Sequence, residues 1–226
     1  MKILETPIRR LAVVLAVIPV FAILAANAVG DISQSHHDFS GAGWSQGEIC
    51  RPCHTPHHAD TTVLDSPLWN HEHTNATFTP YSSSTLDALP GQPSGVTKLC
   101  LSCHDGTVAI DSFGGNTGSR MILPNYQVGP DLTSHHPMSF VYDTGLAAAD
   151  GELHDPTSAP SGLGGTIDQD LLSNGRLECT SCHDVHISRN TSGCTGCHFV
   201  HGMTTKTLSL WKDNTGSALC LTCHKK

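Results

Sequence analysis

Aromatic side chains are scarce in these 226 residues, at 5%, and charged residues reach only 14%. With so few Phe, Trp and Tyr and with 21 Gly and 13 Pro, the chain cannot build a thick conventional apolar core from its own side chains. Basic residues are few as well. Twelve Lys and Arg against 20 Asp and Glu leave a formal charge of -8, which makes nucleic acid a poor candidate partner. Unpaired cysteine is missing altogether, since each of the ten cysteines has another three residues away. A disulfide framework needs cysteines spread over the loops it staples, and this distribution argues against one. None of the ten precedes Cys50, so a lipid-anchored N-terminus is not expected either.

What is present is one motif five times. Cys50-Arg51-Pro52-Cys53-His54, Cys100-Leu101-Ser102-Cys103-His104, Cys179-Thr180-Ser181-Cys182-His183, Cys194-Thr195-Gly196-Cys197-His198 and Cys220-Leu221-Thr222-Cys223-His224 use every cysteine. Each reads as a c-type haem attachment site. Two thiols three apart share one side of a helical turn and can both add to the haem vinyl groups, and the next residue presents its imidazole to the iron. Zinc ribbons also use paired cysteines, but they do not require the histidine. Five histidines in five such positions would arise by accident on the order of once in a million. The expected cofactor is therefore five covalent haem c groups, with His54, His104, His183, His198 and His224 as proximal ligands.

Met1 to Arg10 carries Lys2, Arg9 and Arg10, Leu11 to Ala25 is apolar, and Ala26-Asn27-Ala28 has a small-x-small pattern. Residues 1–28 are expected to be a secretory signal peptide cleaved after Ala28, with no retained membrane span. Export agrees with c-type attachment, which in bacteria takes place outside the cytoplasm. Residues 29–226 are expected to form a single pentahaem domain, loop-rich and mostly irregular, with short α-helices, little β-sheet and a core made largely of porphyrin. Its sites fall into two clusters, 50–104 and 179–224. They are joined by 105–178, a segment long enough to carry structure of its own. The best helical candidates are the turns Val96 to His104 and Gly216 to His224, where Leu99, Leu101, Leu219 and Leu221 could lie on a haem face. Asp213-Asn214 and Asn174-Gly175 read as turns.

Removing the five proximal histidines from 16 leaves 11, against three methionines after residue 28, Met121, Met138 and Met203. That ratio favours histidine on both faces of each iron, which gives a low potential and closes the iron to substrate. His57, His186 and His201 each follow a proximal histidine by three residues. Such a residue cannot reach the far face of its own haem, so each is expected to ligate an adjacent one, with haems packed in close pairs. Pro56 should end the turn and free His57. His37 and His136 are the next distal candidates, with His71 or His73 in reserve. His36, His58, His135 and His154 are expected to be bystanders.

The runs Ile49 to His57, Pro67 to His71, Lys98 to Thr107, His136 to Phe140 and Ser217 to His224 resemble exported multihaem cytochromes of metal-reducing bacteria. Among these the chain is similar to the tetrahaem outer-membrane cytochromes that polymerise into extracellular nanowires. That resemblance implies bis-histidine haems in a continuous chain through a filament. It also implies that His37 or His36 could ligate a haem of a neighbouring subunit. Here the Cys194 to His198 site is an addition that would extend or branch such a chain. The resulting expectation is an electron carrier, extracellular or at the outer surface, that self-associates and meets other cytochromes or extracellular acceptors. The alternative is a periplasmic multihaem electron shuttle or the electron-transfer subunit of a multihaem oxidoreductase. A multihaem oxidoreductase would need an open or unusually ligated iron, and no motif replaces its histidine with lysine.

Overall fold

A computed structural model describes residues 32, 35–186, 210–212 and 214–225. The expected signal peptide, 1–28, and Cys194, Cys197, His198 and His201 lie outside these residues. All the described residues belong to one compact unit, Ile32–Lys226, and regular structure is sparse within it. Helices run over Gly95–His104, Thr144–Asp150, Ile167–Leu171 and Cys220–Cys223, and single 3-10 turns over Ser40–Ala42, Pro124–Tyr126, Cys179–Ser181 and Thr215–Ser217. Phe140–Val141 pairs antiparallel with Arg176–Leu177 as the two-stranded sheet. The fold is thus loop-rich with little β-sheet. Among the described residues no helix is long and apolar enough to cross a membrane.

The longest helix, Gly95–His104, contains the second motif. It begins after extended Ser94 and stops at Asp105, whose N–H bonds back to Leu101. Gly106 follows in the left-handed region (φ 76°) that such a helix end favours. Leu99 and Leu101 are 200° apart around this helix and enter different apolar clusters, Leu99 with Val63 and Trp69, Leu101 with Phe78 and Leu132. Both are nearly fully buried by protein, so neither is available to the haem face that the sequence assigns them.

The 105–178 segment does carry structure of its own. Phe140, Tyr142, Ala147, Ile167 and Leu177 form the largest apolar cluster, with Ala88. Asp143 caps its first helix by accepting Leu146 N–H at 2.8 Å. Thr166 and Gln169 form a capping box at the start of the second. The Asn174-Gly175 turn has both residues left-handed (φ 50° and 69°), and Ser173 and Arg176 exchange backbone hydrogen bonds across it. The expected helical turn from Gly216 is instead a 3-10 turn, left-handed at Gly216 (φ 64°), followed by the short Cys220–Cys223 helix.

Candidate haem-binding site

All four described motifs fold alike. His54, His183 and His224 each donate a backbone N–H to the first cysteine of their motif, at 2.8, 3.0 and 3.0 Å, and Cys100 to His104 lie within the long helix. Each motif is therefore one helical turn with its two cysteines on one side, as thioether attachment requires. Cys50 and Cys220 are exposed, and the other described cysteines are partly buried. Burial pushes Cys53 and Cys223 up to about 11, and a hydrogen bond to Cys179 together with burial raises Cys100.

That thiol contact joins the second motif to the third. Cys179 N–H also donates to Thr97 Oγ1 at 3.0 Å, which seats the third motif on the helix of the second. Beneath the contact Glu178 is buried. It accepts from Ser139 Oγ at 2.8 Å and faces Arg176 Nε at 3.3 Å. The third motif thus sits against the second. Trp211 holds its other side, donating to the carbonyls of Cys182 and Thr180 at 3.1 and 2.6 Å.

Three pairs of imidazoles lie close together, one stacked (20° between ring planes), one tilted (51°) and one edge-on (75°). The His54 and His186 ring centroids are 6.2 Å apart, those of His37 and His104 6.0 Å, and those of His136 and His224 6.3 Å. Each pair joins the histidine of one motif to a histidine from a distant part of the chain. Two imidazoles on opposite faces of one iron, with metal–nitrogen distances of roughly 2 Å, put their ring centres about 6 Å apart. The outward nitrogens are also arranged for ligation. His54 Nδ1 meets the Pro67 carbonyl at 2.6 Å, His104 Nδ1 that of Tyr126 at 2.8 Å, His136 Nδ1 that of Pro137 at 2.8 Å, and His186 Nδ1 the Asp184 carboxylate at 3.2 Å. A proton held on Nδ1 leaves Nε2 with its lone pair, the form in which histidine binds metal. His37 is kept neutral differently. Burial, with the nearby histidines, lowers it from 6.5 to about 4, and its Nδ1 is buried without a hydrogen-bond partner.

Some apolar side chains on these segments are exposed: Leu68 (57%) next to Pro67, Leu123 and Tyr126 in the turn whose Tyr126 carbonyl meets His104, and Leu221 (40%) inside the fifth motif. Among the described residues no three His, Cys, Asp or Glu side chains gather as a cage for a bare ion. The donor set, two thiols and an imidazole on each described turn, fits haem.

The other histidines are placed differently. His57 and His58 are exposed on a polar cleft of about 650 Å³ that also borders Asp60, His71 and Glu72, and no described imidazole faces His57 across a gap. His71 is buried. Its Nδ1 lies 2.8 Å from the Glu72 carbonyl and its Nε2 3.1 Å from that of Ala109, with Cys103 Sγ at 3.5 Å, so both nitrogens are engaged by protein. His73 stacks on Trp69 and lies 3.0 Å from Asp60. Neither of the reserve residues stands opposite a motif histidine. The resemblance offers His37 to a neighbouring subunit, whereas its ring lies against His104 of its own chain. Sequence reading missed the acceptors that orient the rings. Pro67 and Tyr126 act through backbone carbonyls and leave no residue-type signal, but Asp184, two residues before His186, does.

Residues 189–226 match the doubled CXXCH motif family. The match spans the fourth and fifth motifs. It supports covalent haem c binding at CxxCH and electron transfer in general. No curated protein matches the chain.

Proposed function

We propose that this chain is exported and conducts electrons through five covalent bis-histidine c-type haems, as one link in an extracellular filament of copies. The observation that carries the electron-transfer reading is the set of three facing histidine pairs. In it His186 serves the first haem, His37 the second and His136 the fifth. That leaves His201 for the iron of His183 and His57 for that of His198, so that neither residue serves the haem of its own motif. Haem supplies the reversible iron couple. The chain's residues supply attachment, two axial nitrogens per iron and close spacing between sites. With both axial positions taken, an iron has no room for substrate, which favours a carrier over an oxidoreductase. Carbon monoxide or nitrite added to the reduced protein should leave the Soret band unmoved, and a shifted band would mean an open iron.

One observation favours the alternative of a self-contained periplasmic shuttle. His37, the candidate for bridging subunits, already has an in-chain partner ring in His104. Cryo-EM of the secreted fraction separates the two readings. Filaments support the first, and a monomer at all concentrations with every sixth ligand internal supports the second.

A further inference from the structure

The Nδ1 nitrogens that face away from the three gaps do not meet equal acceptors. His54, His104 and His136 each face a neutral backbone carbonyl. His186 faces a carboxylate. Asp184 Oδ1 accepts its backbone N–H at 2.8 Å and lies 3.2 Å from its Nδ1, so one oxygen holds both the backbone and the ring of the same residue. At the other extreme, His37 Nδ1 is buried with no hydrogen-bond partner.

An imidazole that shares its outward proton with a carboxylate has partial imidazolate character. It donates more strongly through Nε2 and favours the ferric over the ferrous iron. An imidazole whose N–H meets no acceptor is the weaker donor. Solvent acts in the same direction. The His186 side chain is 54% exposed, so water can stabilise the extra charge of a ferric centre, whereas the half-buried His37 has its Nδ1 shielded from water. Both effects place the first site below the second in potential.

We propose that Asp184 is a positioning residue that lowers the potential of the first haem, so that an electron passes downhill from the first site to the second. In that step the iron at His54 and His186 is oxidised and the iron at His37 and His104 is reduced, with no proton transferred. The proposal rests on the reading of His186 as the sixth ligand of the first haem.

The test is Asp184→Asn in the full haem-loaded protein. Asparagine keeps an oxygen for both N–H groups and removes the charge. Spectropotentiometry should show one component, about a fifth of the absorbance change if all five motifs are loaded, shifted to higher potential. That haem should stay low-spin with altered g-values by EPR, and the other components should not move. Unchanged potentials in a fully low-spin D184N protein would overturn the proposal. So would conversion of that haem to high-spin, which would mean that Asp184 only holds the ring in place. His186→Ala tests the underlying reading separately. A fully low-spin H186A protein removes His186 as a ligand, whatever D184N does.

Discussion

Replacing His37 with Ala is the most direct test of the paired-imidazole geometry. The change removes one ring of a pair whose centroids are 6.0 Å apart and leaves His104 held by the Tyr126 carbonyl at 2.8 Å. Attachment through Cys100 and Cys103 is untouched, so haem content should stay constant while ligation changes at one site. With five motifs, about a fifth of the low-spin signal should convert to high-spin, and the same fraction should gain carbon monoxide binding on reduction. The lost ring also packs edge-on against Phe39 at 6.2 Å, so stability should fall by on the order of 1–2 kcal/mol. Added imidazole should restore the low-spin spectrum by filling the vacated position. EPR and the Soret band of the reduced, carbon monoxide-treated protein read these changes. Because His36 is adjacent and could take over, the His36→Ala/His37→Ala double variant is the decisive form. If it remains fully low-spin and inert to carbon monoxide, the inference from ring spacing to ligation is wrong.

Four further outcomes are expected. Mass spectrometry of the secreted protein should show the chain from Val29 carrying five haems, and each Cys→Ala change should weaken attachment at its own site. His136→Ala should make one haem high-spin without releasing it, because His136 faces His224 while the fifth attachment runs through Cys220 and Cys223. Tyr142→Phe should lower the unfolding free energy by about 1–2 kcal/mol, seen as a lower denaturant midpoint, since the Tyr142 hydroxyl is buried and donates to the His154 carbonyl at 2.6 Å, next to the Cys223 backbone. The last concerns acid. Burial depresses His37 from 6.5 to about 4, so its contribution is fully present above about pH 6.5 and is lost as pH falls toward 4. Stability in denaturant titrations should therefore fall as the pH is lowered from about 6.5 toward 4, and a flat profile over that range would refute the assignment.

Local chemistry was legible in the sequence because it depends only on neighbours along the chain. The five CxxCH motifs specify a helical turn, a pair of thiols and an imidazole, and every described copy adopts that turn. The scarcity of aromatics and the wealth of Gly and Pro likewise imply a loop-rich chain with small clusters in place of one large core. The turn at Asn174-Gly175 needs only two residues that tolerate the left-handed region. Partnership across the fold could not be read this way. His57 and His186 stand at the same offset from a proximal histidine, yet only His186 is brought opposite another motif's imidazole. The offset determines where a side chain leaves its turn and says nothing about which loop arrives there. Cys179 meeting Thr97, and His37 reaching His104, depend on how the chain closes over 82 and 67 residues, and that closure is decided by packing around the Gly95–His104 helix. Sequence thus determined how many CxxCH motifs there are and what each turn presents, and the tertiary structure decided which imidazoles lie close together and which Nδ1 meets a charge.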